Sequence, residues 1–153
     1  MSVRPLLSIV GMCLVSLAAV TANDAADARI RAVAQPMGSK PGSDGALRAG
    51  IHMKHTRLDC SHLVHYLYRR AGLAYRYMDS KQLFAGAPGF RRVWQPQAGD
   101  LVVWRGHVGI VVDPEQKSFL SALSTGVKIA SYESRYWKSK GEARFFRYTS
   151  NHN

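Results

Sequence analysis

From Asp59 onward the apolar positions recur at helical spacing. With Cys60 at zero and ~100° per residue, Leu63, Val64, Leu67, Tyr68 and Ala71 fall within an arc of ~140° around it, while His62, His65 and Arg69 lie opposite. The spacing predicts an amphipathic helix with Cys60 in its first turn, ended by Gly72. Asp79 and Ser80 are caps for a short second helix through Leu83 and Phe84, which Gly86, Pro88 and Gly89 close. From Gly99 the rhythm shortens to that of strands. Segments 101–104, 107–112, 118–123, 126–132 and 143–148 read as strands, with a turn at 113–116 and a short helix around 133–137 before the last. Helices first and strands afterwards is the ordering of an α+β domain.

Residues 1–50 carry other signals. Arg4, an apolar run over 9–20 and small residues around Ala22 follow the order of a secretory signal, 1–22, and the run is shorter than the ~20 residues of a membrane span. Residues 23–50 are small, polar and rich in Gly and Pro, a flexible segment with one short helix around 28–34, which leaves 51–150 as the folded domain. A chain of 153 residues, 46% hydrophobic, supports one such core. Cleavage after Ala22 removes Arg4 and Cys13, so the formal charge of +11 falls by one and Cys60 becomes the lone cysteine. A lone cysteine forms no internal disulfide, which excludes a small stapled scaffold and leaves an intermolecular, an inert or a reactive thiol. The basic balance calls for a polyanionic neighbour, and export to the periplasm or outside the cell favours anionic cell-wall polymer over nucleic acid.

The position of Cys60 favours the reactive reading. A helix N-terminus carries partial positive charge and free N–H groups, which stabilise a thiolate and lower the thiol pKa. A cysteine nucleophile needs a base, and His107 opens the second strand directly after Gly106. His107, Gly109 and Val111 share one face of that strand, and Gly109 leaves room beside the imidazole. If the 113–116 turn closes a hairpin, Ser121 lies beside His107 and its hydroxyl can accept the second imidazole N–H; Ser124 or a backbone carbonyl are the alternatives. His52, His55, Cys60, His62 and His65 are a rival cluster, but His62 and His65 point ~140–200° from Cys60 and the spacing fits no closed zinc site. No metal or cofactor is expected.

With these residues in place, the chain resembles the NlpC family of papain-like cell-wall cysteine peptidases. The motifs are DCSHLVHYLYRRAGL (59–73), DSKQLF (79–84), QAGDLVVWRGHVGIVVD (97–113) and SFLSALSTGVKIASYESRYW (118–137). The resemblance implies a papain-like α+β fold in which the helix bearing Cys60 packs on an antiparallel sheet of about five strands. It also implies Cys60 as nucleophile, His107 as general base, and Asp59 and Ser61 as binders of a stem peptide's free amine. The family's usual reaction is amide hydrolysis in the peptide stems of peptidoglycan, commonly after γ-D-glutamyl, here by an expected monomer. Three departures stand out. His62 replaces the family's usual glycine, Ser121 stands where His, Asn or Gln is usual, and no Gly-x-Pro-Tyr segment precedes Cys60 between 29 and 57. An N-acetylmuramoyl-L-alanine amidase, an amidase toxin aimed at competing bacteria, and a degenerate wall-binding module therefore stay open as alternatives.

Overall fold

The Asp59 carboxylate accepts the backbone N–H of His62 at 2.9 Å and so caps helix α1, Cys60–Arg70. Gly72 follows in the left-handed region, at φ 76°, and the helix stops there. Leu63, Val64, Leu67, Tyr68 and Ala71 are buried, whereas Arg69 is exposed, as the periodicity predicts. The computed structural model describes residues 25, 28–32 and 59–149; the expected signal segment, His52 and His55 lie outside the described residues. Among the described residues no helix is long and apolar enough to cross a membrane.

Helix α2 (Ser80–Ala85) begins with a reciprocal capping box between Asp79 and Gln82. The strands are β1 (Phe90–Val93), β2 (Leu101–Trp104), β3 (His107–Asp113), β4 (Ser118–Leu123), β5 (Gly126–Ser131) and β6 (Arg144–Tyr148). A short α3 (Arg135–Lys138) precedes β6. They form one antiparallel six-stranded sheet in the order β1-β6-β2-β3-β4-β5. The additional strand relative to the sequence expectation is β1. Its central residues, Arg91 and Arg92, are exposed, so it lacks an apolar alternation and becomes a strand by pairing with β6.

Alternation along β2 and β3 divides the apolar residues between the two faces of the sheet. One face carries Leu101, Val103, Val108, Ile110 and Leu120 in a core shared with Leu63, Val64, Leu67 and Tyr68 of α1. Ile30, in the helical stretch 28–32, is fully buried in that same core. Val102, Trp104, Val111 and Phe119 belong to a second cluster with Tyr132 and Trp137. Where β6 meets the start of β2, Arg147 donates to both oxygens of the fully buried Asp100, at 2.9 and 2.8 Å. The fold is α+β and papain-like, a cysteine-bearing helix on an open antiparallel sheet.

Gly109 has a different role from the one its sequence position suggests. A Cβ there would stand 2.4 Å from the Phe119 ring and 2.8 Å from the Leu120 carbonyl oxygen, so the space beside Gly109 is taken by β4 and not by the imidazole. Gly109→Ala is expected to destabilise the fold by about 1–3 kcal/mol, read as a lower urea midpoint at unchanged m. An unchanged midpoint would show that β3 and β4 do not pack this closely.

Candidate active site

Two side chains meet at the place where the β3–β4 ladder ends. The β2–β3 hairpin turns at Arg105–Gly106, with Gly106 at φ 93°, and sets His107 opposite Trp104. Pairing between β3 and β4 runs through Val111 with Phe119 and Ile110 with Leu120 and goes no further toward His107. Beyond it, the backbone groups of Val108 bond to side chains instead of to a strand. The Val108 carbonyl accepts the Ser121 hydroxyl at 2.7 Å. The Val108 N–H is directed at the sulfur of Cys60. Cys60 in the first turn of α1 thus lies against the peptide that follows His107.

Ser121, fully buried, stands 2.9 Å from His107 Nε2. A hydroxyl has one proton, and here it goes to the Val108 carbonyl. Ser121 Oγ therefore accepts from Nε2–H, which makes His107 the Nε2–H tautomer and leaves the Nδ1 lone pair free to take a proton. Ser124 has no such bond. The Trp137 ring stacks on the imidazole at 4.6 Å between centroids and 34° between planes, and Trp104 lies at 6.3 Å. Sequence reasoning missed Trp137, which reads simply as a core residue of a short helix.

Burial, with the Lys140 charge as a second cause, pushes the His107 imidazole down to about 4, so it is neutral at physiological pH. Cys60 is half-buried, and burial pushes its thiol up. The N–H groups of Val108, Ser61 and Cys60 itself pull the other way, while the Asp59 carboxylate adds to the rise. This corrects the expectation of a lowered thiol pKa: the helix N-terminus contributes as foreseen, but desolvation outweighs it. The resting pair is a thiol and a neutral imidazole.

A second cluster surrounds the N-cap of α1. Ser61 donates to Asp59 Oδ1 at 2.8 Å, and its Oγ lies 3.0 Å from the Tyr77 hydroxyl. His62 Nδ1 stands 2.9 Å from Asp59 Oδ2 and 3.3 Å from the Tyr77 hydroxyl. Burial raises the Asp59 carboxyl, but donors from the His62 amide, the Ser61 hydroxyl and the His62 ring outweigh it and hold the group below the usual carboxylate range. Tyr77 was not foreseen. The loop after α1 runs back along the helix, with His65 Nε2 3.1 Å from the Tyr75 carbonyl oxygen, and so delivers a tyrosine to Ser61 from downstream of Cys60. Among the described residues no group of three His, Cys, Asp or Glu side chains is placed to hold a metal.

The NlpC/P60 family model matches residues 46–143, and the chain belongs to that family. Its members are generally cell-wall cysteine peptidases, and membership points to that class here. No curated protein matches the chain.

A raised thiol beside a neutral imidazole has a measurable consequence. Iodoacetamide should alkylate Cys60 more slowly at neutral pH than it alkylates an exposed free cysteine, with a rate that keeps rising into alkaline solution, because burial holds the thiol up. A rate already at its plateau in neutral solution would show a preformed thiolate instead.

Proposed function

We propose that the protein is an exported cysteine hydrolase that cleaves an amide bond in peptidoglycan stem peptides, after γ-D-glutamyl, working as a monomer in the periplasm or outside the cell. The observation that carries this reading is the hydrogen-bond chain from Val108 through Ser121 to His107 Nε2, which leaves Nδ1 free to act as a base, while the Val108 N–H that follows His107 is directed at the sulfur of Cys60. Sulfur attacks the amide carbonyl carbon while His107 Nδ1 takes the thiol proton. The oxyanion is met by the backbone N–H of Cys60 at the start of α1, which has no partner within the helix. The imidazolium then gives its proton to the departing amine, a thioester remains, and water deprotonated by His107 releases the acid. Ser121 holds the tautomer and Trp137 the ring plane throughout.

Asp59 and Ser61 bind the free amine of the stem, with the Tyr77 hydroxyl beside them supplying the phenol that the upstream sequence lacks. The family resemblance supports this assignment, and so does the exposure of Asp59, whose side chain is 54% accessible next to the nucleophile. The basic surface keeps the enzyme near anionic wall polymer. No cofactor enters any step.

Digestion of purified peptidoglycan by the mature protein should release fragments that Cys60→Ala does not, and mass spectrometry of them names the bond. Release by both proteins, or by neither on several wall chemotypes, contradicts the proposal. Ser121→Ala should lower kcat by about 10- to 100-fold with little change in KM, the worth of one buried hydrogen bond on a charge-bearing group. His107 works as a base only while neutral, so kcat/KM should keep the contribution of this base as the solution is acidified and lose it as the pH drops through about 4. A fall near the ordinary histidine value of 6.5 would mean that the imidazole is not desolvated as described.

A further inference from the structure

The chain around α3 carries a cation that no acid claims. Glu133, before the helix, pairs with Lys138 at 2.6 Å, and Glu142, after it, pairs with Arg92 at 2.8 Å. Among the described residues no carboxylate pairs with Lys140. Its backbone is nonetheless held in place. The Lys140 N–H donates to the Trp137 carbonyl at 3.1 Å, and Gly141 turns the chain at φ 97°. The ammonium rests over the Tyr136 ring, 4.8 Å from its centroid. Tyr136 meets Trp137 edge-on at 5.1 Å, and Trp137 lies on the His107 imidazole at 4.6 Å. Tyr136 and Lys140 are both exposed, so the cation stands at the rim of the site, two rings away from the base. Its charge is felt there, as the second cause that holds the imidazole low.

The two sides of the site differ in what they receive. Asp59 and Ser61, at the cap of α1, take the amine of the acyl part of the substrate. His107 hands its proton to the departing amine, so the leaving residue lies at the imidazole, where Trp137, Tyr136 and Lys140 continue the site. We infer that Lys140, held on the Tyr136 ring, is a specificity-determining cation that pairs with a carboxylate on the leaving amino acid of the stem peptide. The inference rests on the reading of the site as a hydrolase that cuts stem peptides after γ-D-glutamyl. An ammonium set over an aromatic ring gives up water on that side and keeps its other N–H donors for an acceptor. A carboxylate gains most there, because it accepts the hydrogen bond and also brings the missing opposite charge. The α-carboxylate that a γ-linkage leaves free belongs to the acyl part, on the side of Asp59.

The test compares kcat/KM at one neutral pH for three synthetic free-amine stem peptides in which γ-D-glutamyl is followed by a diamino dicarboxylic acid. One is unmodified. The second has the side-chain carboxylate of the diamino acid converted to the amide, and the third has the glutamyl α-carboxylate converted instead. All end in a C-terminal amide, so the leaving part carries no other carboxylate. Amidation on the leaving side should cost the native protein roughly 3- to 5-fold, chiefly through KM, as a charge pair at an exposed rim does. Lys140→Gln should cost the unmodified peptide about as much and make the protein indifferent to that amidation, and Lys140→Arg should restore the discrimination. Removing the charge also eases His107, but that acts on all three peptides alike and cancels in their ratios. Equal losses on all three peptides with Lys140→Gln overturn the inference, since Lys140 would then act through His107 alone. Native protein that ignores the leaving-side amide, or Lys140→Gln that becomes indifferent to the glutamyl amide instead, overturns it as well. These outcomes leave the hydrolase reading standing. Cleavage of none of the peptides by the native protein overturns that reading and this inference with it.

Discussion

The site depends on two backbone groups, the N–H and C=O of Val108, which are released from the sheet. Had β3 and β4 stayed paired as far as His107, both groups would have been spent on the ladder. Because pairing ends at Ile110 and Leu120, one reaches the sulfur of Cys60 and the other takes the Ser121 proton. That second bond forces Ser121 to accept from His107, and acceptance fixes the tautomer that a base requires. A serine is a shorter and weaker orienting group than a carboxylate or an amide. Here it is given a direction by the backbone, and Trp137 covers the ring that it holds.

The same arrangement explains why the pair rests uncharged. The helix N-terminus and the Val108 N–H both favour a thiolate, yet burial opposes charge on the sulfur and on the imidazole alike. On the proposed mechanism, proton transfer and attack then belong to one event, and the resting thiol reacts slowly with alkylating agents. The electrostatics change a few residues along. Asp59, Ser61, His62 and Tyr77 form a polar cluster at the helix cap, in which Asp59 and Tyr77 are exposed and Ser61 is buried.

What the sequence reveals is what local physics controls. The face of α1, the cap at Asp79, and strands β2 to β6 follow from periodicity and turn chemistry, since each is decided within a dozen residues. Ser121 was reachable by counting alternation across a turn. β1 was not, because exposed Arg91 and Arg92 erase its pattern and its strand state comes from β6. Tyr77 and Trp137 were hidden for a related reason: each reaches the site through a chain reversal with no spacing signature. The direction of the Cys60 shift was misjudged because a cap is local, whereas burial is a property of the whole assembly.

The measurement that tests the account most directly is nitrogen-15 NMR of the His107 imidazole in the resting protein at neutral pH, assigned with His107→Gln. The account predicts a neutral ring with its proton on Nε2, held by Ser121, and an unprotonated Nδ1. A ring protonated at both nitrogens, or a neutral ring with its proton on Nδ1, would contradict it.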